Sequence, residues 1–290
     1  NATGLRVNFN GFSIAFPTNS QGNGRIFYVS GGSDVIFADL SVANGTVSST
    51  SSNLAFGGAI YNNGGNLTFE GSATFTSCSV NATNTDQLSY AYGGAIYNNG
   101  SLSFKGSATF TSCLAVASSN SSSLFEGEYF AAYAYGGAIW NAENDGSLRF
   151  EDSATFTWCS AVSSASIYTY YSHFPTATLA SPYAYAYGGA IYNNANNGSL
   201  SFRASATFSS CSAVASSSSI DFNLQNMYPL ASAYGGAIWN SENGGNLIFE
   251  GSAKFKWCSA VSSSLSQGRS FAYAYGGAIW NAENDGDLTF

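Results

Sequence analysis

The chain has 290 residues, of which 45% are hydrophobic and only 8% charged, and a net charge of −8; a typical soluble domain is about 25% charged. So few cations in an acidic chain exclude a nucleic-acid partner, which needs Lys and Arg to displace phosphate counterions. No apolar run reaches the roughly 18 residues of a membrane span, and a single His leaves little for general acid–base or nucleophilic catalysis.

The chain starts at Asn1 with neither Met nor a signal peptide, as a processed N-terminus would. Within residues 1–56, Arg25-Ile-Phe-Tyr-Val and Val35-Ile-Phe-Ala-Asp-Leu-Ser-Val read as strands of divergent opening layers. Terminal units of a stacked protein usually depart from the repeat because they cap its core.

From residue 57 the chain repeats itself. Gly-Gly-Ala-Ile begins at Gly57, Gly93, Gly136, Gly188, Gly235 and Gly276, six copies at intervals of 36 to 52 residues. Each belongs to a longer unit: an aromatic residue, Gly-Gly-Ala-Ile, Tyr or Trp, Asn, then Leu-x-Phe, then Ser-Ala-x-Phe-x-x-Cys. A period of this size marks a stack of supersecondary units sharing one core, so residues 57–290 count with the opening layers as one domain. The sixth unit stops at Phe290 before its Cys, which predicts a longer natural chain.

Within one unit, Ala59-Ile60-Tyr61, Leu67-Thr68-Phe69 and Ala73-Thr74-Phe75 are short, alternate in polarity and are separated by Asn-Gly and Gly-Ser turns. That is strand chemistry. Such strands are unstable alone, but stacking equivalent strands from successive turns pairs every backbone group. The predicted fold is all-β: a single-stranded parallel β-helix with one layer per repeat and inward Ile, Leu, Phe and Ala.

Two columns fix the register. After Leu-x-Phe stand Glu70, Lys105, Glu151, Arg203 and Glu250, alternating in sign at every layer. On adjacent strands about 4.8 Å apart, opposite charges attract and like charges repel. Before each Cys stand Ser77, Ser112, Trp158, Ser210 and Trp257, and after Gly-Gly-Ala-Ile stand Tyr61, Tyr97, Trp140, Tyr192 and Trp239. Trp falls in the same layers of both columns, so layers alternate in type.

Gly-Gly-Ala-Ile followed by Phe-x-x-polar resembles the repeats of the chlamydial polymorphic outer-membrane proteins, and Gly-Asn-Gly-Arg-Ile-Phe-Tyr-Val-Ser-Gly-Gly resembles the start of related pectin-lyase-like surface proteins. The likeness covers roughly residues 5–290, with Cys in place of the usual Asn of Phe-x-x-Asn. It implies a right-handed parallel β-helix displayed outside the cell, often in adhesion.

The remaining chemistry has few candidates. Cys78, Cys113, Cys159, Cys211 and Cys258 form one column. An inward ladder of free thiols packing as small hydrophobes is the leading reading. Disulfides between layers suit the required dihedral poorly, and the spacing matches no metal motif. The acidic turns at Asn141-Ala-Glu143-Asn144-Asp145 and Asn281-Ala-Glu283-Asn284-Asp285 read as solvated corners, with Ca²⁺ binding as the alternative. Sequons occur at Asn1, Asn44, Asn66, Asn81, Asn99, Asn120 and Asn197.

Between each Cys-x-Ala-Val and the next Gly-Gly the chain inserts loops of differing length at one corner. Their apolar residues include Phe125, Tyr129, Phe130, Tyr168, Tyr170, Tyr171, Phe174, Phe222, Met227 and Tyr228, candidates for a contact surface. Tyr92, Tyr135, Tyr187, Tyr234 and Tyr275 add an aromatic column beside them. The sequence therefore predicts a non-enzymatic structural protein of the cell surface or extracellular space, without cofactor, its partners being copies of itself or other structural proteins. An adhesin that takes glycans or proteins on its Tyr-rich loops is the alternative, and a polysaccharide lyase or hydrolase ranks below both.

Overall fold

The computed structural model describes residues 4–16, 24–50, 53–85, 87–121, 130–141, 147–169, 181–194, 199–221, 228–240, 246–266, 269–281 and 287–290. Among them every regular element is a strand, and the strands join into long parallel sheets, as a parallel β-helix requires. No helix is long and apolar enough to cross a membrane.

Each layer has two lobes. In the main lobe the Gly-Gly-Ala-Ile strand (Ile96–Asn98 in one layer) leads to the Leu-x-Phe strand (Ser101–Phe104) and the Ala-x-Phe strand (Ala108–Thr111). Every residue stands over its repeat equivalent: Ile96 pairs with Ile60 and Ile139, Phe104 with Phe69 and Phe150, Phe110 with Phe75 and Phe156. Inside, two Phe columns run the length of the stack. Phe69, Phe104, Phe150, Phe202 and Phe249 stack with centroids 4.6 to 5.0 Å apart. Phe75, Phe110, Phe156, Phe208 and Phe255 stack at 4.9 Å. The columns meet edge to face, so each ring has favourable partners both above and beside it.

The second lobe differs from the sequence expectation. The stretches after Cys-x-Ala-Val are not loops from their first residue. The chain leaves as one strand (Ser79–Thr85, Leu114–Ser121, Ser160–Thr169, Ser212–Asp221, Ser259–Leu265) and returns as another (Ser89–Tyr92, Phe130–Tyr135, Pro182–Tyr187, Leu230–Tyr234, Phe271–Tyr275). Stacked on Thr46–Ser49 and Leu54–Phe56 of the opening layers, these form two six-stranded parallel sheets laid face to face as a flange. Its interior is a second core built almost wholly of Ala, including Ala115, Ala117, Ala132, Ala134, Ala184 and Ala186. Buried Ser completes it by bonding across to the facing sheet: Ser89 Oγ to Ser118 O at 2.6 Å and Ser217 Oγ to Pro182 O at 2.8 Å. Leu114–Ser121 ends, and Phe130–Tyr135 begins, at the edge of the flange farthest from Gly-Gly.

Gly-Gly forms the waist where the lobes join. The first glycine takes a left-handed backbone, φ 58° at Gly136, which glycine adopts freely. At the second, the neighbouring layer and the outgoing flange strand close in. A Cβ on Gly137 would lie 2.1 Å from Gly189 O and 2.4 Å from Ser160 N. Both glycines are required, for different reasons.

Candidate functional site

The molecule's distinctive chemistry is arranged as ladders along the axis. The one the sequence reading passed over is the most regular. The Asn of Gly-Gly-Ala-Ile-(Tyr/Trp)-Asn points into the main lobe, and Asn62, Asn98, Asn141, Asn193 and Asn240 are all buried. Each donates its Nδ2 to the Oδ1 of the next layer: Asn62 to Asn98 at 2.6 Å, Asn98 to Asn141 at 2.6 Å, Asn141 to Asn193 at 2.8 Å, Asn193 to Asn240 at 2.7 Å and Asn240 to Asn281 at 2.8 Å. A buried amide without partners is costly, and here each satisfies its neighbour. The invariant position of this Asn within the repeat was the signal that could have revealed it.

All five cysteines are free thiols, four of them buried. Cys113 Sγ lies 3.7 Å from both Phe75 O of the preceding layer and Thr111 O of its own, and Cys159 and Cys211 repeat the pattern. Burial pushes the Cys113 thiol well above the usual range, which keeps it protonated and unreactive. Among the described residues no group of three or more His, Cys, Asp or Glu could hold a metal ion.

The charge column is in register, with Lys105 N bonded to Phe69 O and Glu151 N to Phe104 O. Its pairing is mixed. Lys105 meets Glu70 at 3.3 Å and Arg203 meets Glu250 at 3.7 Å. Glu151 instead pairs with Arg149 of its own layer at 3.2 Å, because that guanidinium projects from the same face two residues earlier. Glu70 also pairs with Arg6, and hydrogen bonds from Arg6 and then Lys105 hold its carboxyl below the usual range.

Three aromatic columns line the outer surface where the flange meets the main lobe. Tyr90, Tyr133 and Tyr185 stack at 4.8 and 5.0 Å. Phe56, Tyr92, Tyr135, Tyr187, Tyr234 and Tyr275 stack at 5.0 to 5.1 Å. Tyr61, Tyr97, Trp140, Tyr192 and Trp239 form the third, meeting the second edge to face across the re-entrant angle. Their ring faces are taken up by one another. Burial raises the hydroxyl of Tyr185 to about 12 and those of Tyr135 and Tyr187 well up. The Tyr column is thus mainly a brace along the waist.

The flange-tip candidates divide. Tyr168 and Tyr228 are exposed, at 50% and 41%. Phe130 is fully buried and is corrected from contact residue to core, at the start of the returning strand. Phe125, Tyr129, Tyr170, Tyr171, Phe174, Phe222 and Met227 lie outside the described residues, as do Glu143, Asn144, Asp145, Glu283, Asn284 and Asp285 of the acidic turns.

Of the sequons, Asn1 and Asn197 also lie outside. Asn81 and Asn120 are exposed on the flange; Asn120 accepts from Ser166 Oγ at 2.6 Å. Asn66 is exposed and bonds Asp34 at 2.7 Å, while Asn99 is half-buried beside the turn. Asn44, at φ 59°, spends its amide on Phe16 O at 2.9 Å, which makes it a corner residue.

No family model matches the chain, and no curated protein or solved structure matches it.

Proposed function

We propose that this chain is an extracellular or cell-surface structural protein, a rigid building block of a surface fibre, appendage or coat. One observation carries the reading: Phe, Asn, Cys and Tyr ladders run through successive layers with side chain matched to side chain. Each layer is locked to the next at core, waist and flange, a construction suited to bearing load along an axis rather than to closing on a small substrate. Among the described residues the acidic side chains are spread along the rod, and no group of three or more His, Cys, Asp or Glu gathers. The sparsely charged, hydroxyl-rich composition and the surface sequons support a location outside the cell.

Self-association would use the flange tips, where sequence and length vary between layers. Electron microscopy of the purified protein and of a variant with residues 170–180 replaced by a short Gly-Ser linker tests this. The expected outcome is rods that associate in the parent and remain single in the variant. Globular particles, or unchanged association, would overturn it. A second reading, an adhesin, is favoured by exposed Tyr168 and Tyr228 beside the tips; it predicts loss of cell or matrix binding with association intact.

A further inference from the structure

Between the Ala-x-Phe strand and Cys the chain turns a corner on one residue with left-handed backbone: Ser77, Ser112, Trp158, Ser210 and Trp257, all with φ between 52° and 54°. Ser suits such a corner, since small polar residues tolerate it and bulky ones do not. Trp158 and Trp257 nevertheless occupy it, 61% and 83% exposed. They gain no core burial and make no ring contact among the described residues. An exposed aromatic held in a disfavoured conformation contributes nothing evident to the fold, and such an outlier points to function.

The surroundings give the chemistry. Ser112 N bonds Thr157 O, Trp158 N bonds Ser209 O and Ser210 N bonds Lys256 O, so these corners stack in consecutive layers. Trp158 and Trp257 are therefore two layers apart, roughly 9.6 Å along the axis at the usual strand spacing, with only the small Ser210 between. Beside them the outward residues of the Ala-x-Phe strands form a hydroxyl array: Thr109, Thr111, Thr155, Thr157, Thr207 and Ser209. In the fifth repeat Lys254 and Lys256 replace these hydroxyls. Both lysines stand in the outward columns that Thr and Ser hold in the preceding layers.

We infer that this corner binds an extended anionic polysaccharide running along the rod. Aromatic rings take the apolar faces of sugar rings, and hydroxyls exchange hydrogen bonds with sugar hydroxyls. Ammonium groups take the carboxylate or sulfate. The two-layer spacing of the indoles suits an extended polymer better than it suits a folded protein epitope. The site differs from the Tyr columns in that its indole faces are free, and from the flange tips in lying at the corner where the Ala-x-Phe strands hand over to the flange. It does not depend on the structural reading above, since self-association is read separately.

Affinity electrophoresis of the whole chain through gels containing polygalacturonate, dextran sulfate or uncharged hydroxyethyl cellulose tests it. Retardation by an acidic polymer, weakened by added salt and absent with the neutral one, is expected. Retardation by polygalacturonate assigns uronates, and by dextran sulfate alone sulfate esters. Trp158→Ser and Trp257→Ser install the residue the other layers already carry, so circular dichroism and melting should be unchanged. Each should weaken binding roughly tenfold, the scale of removing one anchoring aromatic. Lys254→Gln with Lys256→Gln should flatten the salt dependence. Equal binding by the Trp→Ser variants, equal retention by the neutral polymer or no retention by either acidic one would overturn the proposal. So would a parent dimer abolished by Trp→Ser, which would make a second copy the occupant.

Discussion

The two lobes solve the same problem with opposite materials. The main lobe is filled by large rings, each Phe lying on the Phe of the next layer and edge-on to the second column. The flange encloses almost nothing larger than Ala, and its sheets are drawn together until Ser hydroxyls of one reach carbonyls of the other. In the first, stability comes from apolar area and aromatic contact; in the second, from close approach, polar satisfaction and the backbone ladder. Layers of one chain can thus combine a broad, tolerant core with a thin, exacting one.

That contrast can be broken at both ends. Phe156→Ala removes a fully buried ring from the main lobe and should cost about 3–5 kcal/mol in denaturant unfolding. Gly137→Ala strikes the waist, where a methyl would press on Gly189 O and Ser160 N; a loss of about 3 kcal/mol is expected, together with separation of flange and main-lobe transitions. In the flange the sign of the volume change reverses. Ala186→Leu adds bulk between two close sheets and should cost about 1–3 kcal/mol, whereas a like-sized addition at the half-buried outer face should be silent. If Ala186→Leu is neutral, the flange is looser than described.

The smallest effect is set by pH. Tyr133, Tyr135, Tyr185 and Tyr187 on the flange have hydroxyls raised by burial. The folded state therefore holds those protons more firmly than the unfolded chain. The stability this gives is complete below pH 10.0 and is lost as pH rises toward about 12, the value for Tyr185. Tyrosinate absorbance should show the flange loosening in that window before the Phe-filled lobe melts. Simultaneous loss would show the lobes to be one cooperative unit.

The sequence made the main lobe legible because Leu-x-Phe and Ala-x-Phe combine large apolar residues with period two, and because Cys and the alternating charges recur once per layer. The flange was hidden for a physical reason. Runs such as Ala115-Val-Ala-Ser-Ser and Ala184-Tyr-Ala-Tyr bury small side chains, so hydrophobicity barely alternates there and the polar half of the pattern resembles a loop. Phe130 was misjudged for the same reason, since its burial depends on a lobe that the sequence did not announce. The Trp158 and Trp257 corner was visible as a pattern, but its left-handed backbone and exposure were not.

The Asn ladder has one more consequence. Every amide from Asn62 to Asn240 donates in the same direction along the chain. Turning over a single amide would set oxygen against oxygen on one side and NH₂ against NH₂ on the other, in a site closed to water. No member can reverse alone; the row flips together or not at all, like a file of aligned compass needles. The rod thereby carries an internal arrow, independent of its surface, by which one end can be told from the other.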